Sequence, residues 1–243
     1  LDDQEDVAKM FSHYDLLAVP VVDNENRIVG IITIDDAIDV MQEENTEDFE
    51  RMAGMRPSDP GASYLKTPVL SLAKNRILWL MILMLSAMVT GALLESYEAA
   101  FAAIPLLVTF IPMLMDTGGN SGSQSATMII RGMALDEIEW RDFFKVWWKE
   151  IRVALLCGLA LAVVNFARIW IQYKDMYVAL VISLTLVCTV CIAKSLGCIL
   201  PMLAKKIRLD PAIMASPMIT TITDACTLVV YFSFAVRFLA DRL

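Results

Sequence analysis

Histidine occurs once in the 243 residues, as His13. The long apolar remainder therefore has no HExxH pair and no other histidine-based metal chemistry. Dinucleotide and P-loop spacings are absent too, since the only glycine-rich segment, TGGNSGS at 117–123, fits neither. No second intramembrane aspartate stands in a Gly-x-Gly-Asp setting of the aspartyl-protease kind. These absences exclude the common catalytic classes, and the chain is not expected to be an enzyme. Five cysteines (Cys157, Cys188, Cys191, Cys198 and Cys226) all lie in apolar runs, which argues against a disulfide framework. Cys188 and Cys191 spell CxxC, but inside a continuous hydrophobic helix with no second pair, so the spacing reads as packing. The opening LDDQED is acidic and polar, unlike the basic-then-apolar start of a signal peptide, and reads as a cut within a longer chain.

What is abundant is apolar surface. Hydrophobic residues make up 57% of the chain and mean hydropathy is +0.58, beyond the roughly 45–50% apolar content of soluble domains. Residues 1–60 hold sixteen Asp/Glu against four Lys/Arg, whereas 61–243 hold twelve against sixteen. An acidic head thus precedes a mildly basic membrane body, and no nucleic-acid partner is expected.

Residues 1–44 read as helix, strand, Asp/Asn turn, strand, helix: EDVAKMFSHY, LLAVPVV, DNEN, RIVGIIT, DDAIDVMQEE. Thr33 and Asp36 supply a capping pattern for the second helix. The unit resembles the later part of a CBS motif. Residues 45–76 follow as a short charged helix, NTEDFERMAGM, and a breaker-rich linker, RPSDPGAS.

Within 77–243, five apolar spans are expected near 77–94, 99–130, 151–171, 177–203 and 211–239, each close to or above the ~20 residues a membrane helix needs. Lys and Arg collect on one side of the alternating topology, notably in 131–152 and 205–208. By the positive-inside rule the head is cytoplasmic and the C-terminus lies outside. Trp148 and Trp170, ~33 Å apart on a helix, suit the two interfaces.

An ionisable group inside a bilayer needs a partner or water. At 100° per residue, Ser216, Thr220, Asp224, Thr227 and Tyr231 share a face of the fifth span, and Asp116, Gly119, Asn120, Ser123 and Thr127 make a stripe on the second. Small and hydroxyl residues also glue membrane helices together, so each of these taken singly fits packing as well as permeation. Asp116 could cap backbone N–H groups if the helix breaks at Gly118 and Gly119. Lys194 could pair with a carboxylate or snorkel.

PMLMDTGGNSGSQSAT, LDPAIMASPMITTITDA and DDAIDVMQEENTED resemble segments of the MgtE family of bacterial magnesium channels, and the likeness runs along essentially the whole chain. It implies a mainly α, polytopic membrane protein: a homodimer with five transmembrane helices per subunit, preceded by a partial α/β CBS-type unit and a connecting helix. It also implies a bacterial inner-membrane location and an ion path between the second and fifth spans. Asp224 matches the carboxylate of the ion site, with Gly119, Ser123, Thr127, Ser216 and Thr220 on the wall. Asp36, Asp39, Glu44, Glu47 and Asp48 match cytoplasmic positions where regulatory Mg²⁺ closes the channel. Mg²⁺ is then both transported and sensed, with other divalent cations as further candidates. Two competing classes are a proton- or sodium-coupled cation transporter using Asp224 and Lys194, and a receptor whose head senses a nucleotide.

Overall fold

The computed structural model describes residues 3–59, 61, 63–214 and 216–239. The chain divides into two compact units, one of residues 1–51 and 56–75 and one of residues 52–55 and 76–243.

In the first unit, α1 (Gln4–Tyr14) opens with Asp3 accepting the Glu5 N–H and closes at Asp15 in the left-handed region. The strands β1 (Ala18–Val22) and β2 (Ile28–Thr33) pair antiparallel, with Val21 opposite Gly30 and an irregularity after Val21. Asp23 makes the turn by accepting the N–H groups of Glu25 and Arg27 at 2.8 and 3.0 Å, while Asn26 takes a positive φ of 58°. The helix α2 (Ile34–Met52) is one continuous element. The expected second and charged helices therefore merge. No glycine or proline separates Glu44 from Asn45, and glutamates at this spacing are good helix formers. Phe11, Ala8 and Ala37 are the buried centre of the unit.

Among the described residues, four helical stretches, wholly or mostly in the second unit, are long and apolar enough to cross a membrane: Val69–Ser96, Trp140–Tyr173, Met176–Lys206 and Pro211–Phe238. They correspond to α3 (Val69–Ser96), α6 (Phe143–Tyr173), α7 (Met176–Lys206) and α8 (Ser216–Phe238), with short 3-10 turns leading into α6 and α8. Two further helices lie between α3 and α6, namely α4 (Glu98–Ala103) and α5 (Ile111–Ala134). The continuous second span expected at 99–130 is thus broken. Ile104 sits outside the helical region (φ −132°, ψ 81°) before Pro105, a 3-10 turn occupies Pro105–Phe110, and Pro112 lies in the first turn of α5. A residue before proline is pushed out of the α region, and proline itself lacks the N–H a helix would use. What remains, α5, is 24 residues long, or about 36 Å. Its polar residues keep it out of the apolar set.

The helix α7 is central. It is buried along much of its length and packs against α5, α6 and α8. Ala154, Gly158, Ala162, Asn165 and Ile169 form the stripe of α6 that meets it. Trp148 and Trp170 are both more than half exposed, pointing away from the bundle at opposite ends of α6. By contrast α3 is apolar nearly all round from Ile77 to Leu94 and buries only Thr90, which suits a helix surrounded mostly by acyl chains. Its end is held where Tyr97 stacks on Phe232, with ring centres 4.3 Å apart.

Candidate functional site

The helix α5 has two unlike faces. Asp116, Asn120 and Thr127 are exposed and Ser123 is half-buried, at steps of four, three and four residues that keep them on one stripe. The opposite side buries Gly118, Gly119, Ser121, Gly122, Ser125 and Ala126 against α7 and α8. The helix runs unbroken through Gly118 and Gly119, so Asp116 does not cap a helix break, as it would had the glycines interrupted the chain. The glycines serve close approach instead. A Cβ on Gly119 would stand 2.8 Å from Thr220 Cγ2, and one on Gly118 would meet the methyls of Thr189 and Thr223 at 2.7 and 2.8 Å.

On α8, Asp224 is partly buried and follows Thr223, whose methyl packs over Gly118 of α5. The stretches of α5 and α8 that carry Asp116 and Asp224 therefore lie side by side. Thr220 is partly buried and donates its hydroxyl to the Pro217 carbonyl at 2.9 Å. The Ser216 side chain lies outside the described residues. Thr227 and Tyr231 share the helical face of Asp224 but are buried, and the Tyr231 hydroxyl donates to the Leu107 carbonyl at 2.9 Å. The 3-10 turn covers this part of the face, a consequence of the break at Pro105 that the helical periodicity of α8 alone does not contain. Gly119 is likewise part of the α5–α8 contact, turned from the exposed stripe.

Lys194 has a defined partner. It is buried on α7, and its Nζ donates to Ser125 Oγ at 3.3 Å, while that hydroxyl donates to Glu150 Oε2 on α6 at 2.5 Å. Ser125 and Glu150 were not among the candidate residues. The available signal was Glu150 itself, an acidic residue at the start of an apolar run.

The acidic head gathers some of its carboxylates and disperses others. Asp39, Glu44 and Glu47 line a cleft of about 500 Å³, together with Glu43, Glu50 and Asp59. Glu44 accepts from Gln4 Nε2 at 3.0 Å, Glu50 accepts the N–H and hydroxyl of Ser58, and Glu47 pairs with Arg51. Asp36 lies elsewhere. Its Oδ2 accepts the Thr33 hydroxyl at 2.8 Å and the Thr33 N–H at 3.1 Å, which holds its carboxyl below the ordinary range and makes the expected cap. Asp48 is half-buried, and burial, followed by the charge of Glu5, pushes its carboxyl above the ordinary range. Glu43, Glu50 and Asp59 are cleft residues that the sequence pattern did not single out. Asp59 comes from the linker, whose return to α2 has no periodicity to reveal it. Among the described residues, no group of three or more His, Cys, Asp or Glu is arranged to hold a metal ion.

The profile of the MgtE family, described as a divalent cation transporter, matches residues 111–234, and that of the CBS domain matches residues 2–43. Among full-length proteins, the chain is 37% identical over 233 residues to the magnesium transporter MgtE of Thermus thermophilus, covering 96% of this chain and 51% of that protein. It is 33% identical over 243 residues to the magnesium transporter MgtE of Bacillus subtilis, covering 98% of this chain and 52% of the relative. It is 32% identical over 238 residues to the magnesium transporter MgtE of Enterococcus faecalis, covering 98% and 51%. The chain spans about half the length of these relatives. With a polar helix stripe beside an intramembrane carboxylate, a multi-pass bundle and a profile match covering α5 to α8, the chain belongs to the MgtE family of divalent cation transporters.

Proposed function

We propose that the chain conducts Mg²⁺ across the bacterial inner membrane as a homodimer, with α5 and α8 of each copy facing a path on the two-fold axis. In this reading α5 is a fifth span, residues 77–243 are the pore domain, residues 1–44 a partial CBS motif and residues 45–76 a connector. The head is cytoplasmic and the C-terminus is outside. The observation that carries the reading is the exposed stripe of Asp116, Asn120 and Thr127 on a helix otherwise packed among membrane-length helices. Amide, hydroxyl and carboxylate groups facing acyl chains would each cost several kcal/mol, on the order of what an unsatisfied polar group costs in hydrocarbon. Water shared with a second copy removes that cost, and a two-fold axis sets two Asp224 carboxylates around one ion.

Mg²⁺ sheds water reluctantly, so its path needs a few carboxylates and neutral oxygens spaced for a hydrated ion rather than a tight ligand cage. Asp224 supplies the charge. Ser123, Thr127 and Thr220 supply hydroxyl groups along the wall, and Gly119 lets α5 and α8 approach. In the head, Asp39, Glu44 and Glu47 bind regulatory Mg²⁺ weakly and together. Asp36 orders the start of their helix, and Asp48 adds to the repulsion that the ion relieves. Other divalent cations are candidates for the same path. That the relatives are magnesium transporters supports this choice of ion.

Reconstituted protein in sealed vesicles tests the reading. Mg²⁺ entry down its own gradient, with no proton or sodium gradient, is expected. Entry only when a proton or sodium gradient is imposed would favour coupled transport instead. The engagement of Lys194 with Ser125 speaks against an exchange pair made of Lys194 and Asp224.

A further inference from the structure

We propose that Lys194 is a positioning residue for permeation: acting through Ser125, it fixes the rotation of α5 about its own axis and hence which α5 residues face the ion path. The proposal rests on the permeation reading above. An ammonium within a membrane bundle persists only with partners, and Lys194 is 5% exposed. A serine hydroxyl has one proton and two lone pairs, so Ser125 can accept from Lys194 and donate to Glu150 at the same time. Both of its hydrogen bonds involve a charged group, the stronger kind. One atom of α5 is thereby fixed to α7 at 3.3 Å and to α6 at 2.5 Å.

Position decides what this does. Ser125 lies two residues from both Ser123 and Thr127, so it projects about 200° around the helix from each. It sits on the back of α5 when those two sit on the front. Around Ser125 that back is Gly118, Ser121, Gly122 and Ala126, with the larger Leu114 and Ile129 buried further along it, and against the small stretch α7 offers Gly197, where any side chain would meet the Gly122 carbonyl and the Ser125 Cβ. Small residues allow close approach but present little relief to resist turning. A directional hydrogen bond supplies the resistance. Were α5 to turn by one residue, Gly119 and Gly122 in one sense, or Ser121 and Gln124 in the other, would replace Asn120 and Ser123 on the path.

The test is the water accessibility of cysteines introduced singly at Asn120, Ser123 and Thr127 on the front, and at Ser121 and Ala126 on the back. A membrane-impermeant thiol reagent is used, with labelling of the five native cysteines in the parent subtracted. Mg²⁺ flux and melting temperature are measured on the same dimers. The parent is expected to label at the three front positions only. Lys194→Met and Ser125→Ala are expected to label at both sets and to lose about tenfold in flux, the order of loss that small misplacement of positioned groups produces. Ser125→Thr keeps the hydroxyl and should keep both the pattern and the flux. Lys194→Met leaves Glu150 uncompensated and risks misfolding, so Ser125→Ala, which removes one oxygen, is the deciding variant. A folded Ser125→Ala dimer with the parent's labelling pattern and flux would overturn the proposal. A parent with no front-only pattern would instead overturn the permeation reading.

Discussion

Thr220 of α8 sits directly over Gly119 of α5, its methyl 2.8 Å from where a Cβ on that glycine would stand. The methyl cannot simply turn away, because the hydroxyl on the same carbon is bonded to the Pro217 carbonyl at 2.9 Å. Gly119→Ala should therefore destabilise the bundle by about 1–3 kcal/mol, the usual cost of overpacking. Adding Thr220→Ser removes the methyl and keeps the hydrogen bond, so the double variant should melt near the parent temperature. Thermal melting of purified protein in detergent decides this, and a Gly119→Ala variant as stable as the parent would contradict the packing.

The front of α5 predicts a different result. Leucine at Ser123 or Thr127 adds apolar bulk on the exposed stripe rather than in the packed interface, so stability should hold while Mg²⁺ flux falls to background through narrowing and drying of the path. Normal flux in a folded Ser123→Leu dimer would make the stripe a helix-packing surface.

Asp48 makes a prediction about pH. Its folded carboxyl holds its proton more tightly than the ordinary value of 3.8, through burial and then the charge of Glu5, with Glu44 and Glu47 adding and Arg51 opposing. A raised carboxyl favours the folded state only while protonated. The resulting penalty is absent below the unfolded value and grows as pH rises through the folded one. Asp48→Asn should therefore slow amide exchange in α1 and α2 of the full chain at pH 7 and change little below about pH 4. Millimolar Mg²⁺ should shrink the difference at pH 7 by screening the same charges. Equal exchange in variant and parent at pH 7 without Mg²⁺ would contradict this environment for Asp48.

Much of this was legible in the sequence because it is carried by composition over long windows. The apolar runs of α3, α6, α7 and α8 exceed the bilayer requirement, and the strands on either side of Asp23 follow from Val/Ile runs around an Asx turn. What escaped depends on what lies opposite. Helical periodicity puts Tyr231 on the face of Asp224, but the turn ending at Phe110 covers that depth, so the same face is buried there and accessible lower down. Lys194 and Glu150 are forty-four residues apart, and only tertiary packing sets Ser125 between them. The helix α5 falls short of membrane-span hydropathy because the stripe that suits it to a water path removes the apolar signal by which spans are recognised.

The most direct measurement is Mg²⁺ flux through reconstituted dimers carrying Asp224→Asn or Asp224→Ala, beside the parent, in vesicles with a Mg²⁺ gradient and no proton or sodium gradient. The parent should conduct. Asp224→Ala should abolish flux in a folded dimer, and Asp224→Asn, which keeps size and polarity but removes two charges per dimer, should lose divalent selectivity more than conduction. Undiminished, Mg²⁺-selective flux in folded Asp224→Ala dimers would contradict a path between α5 and α8.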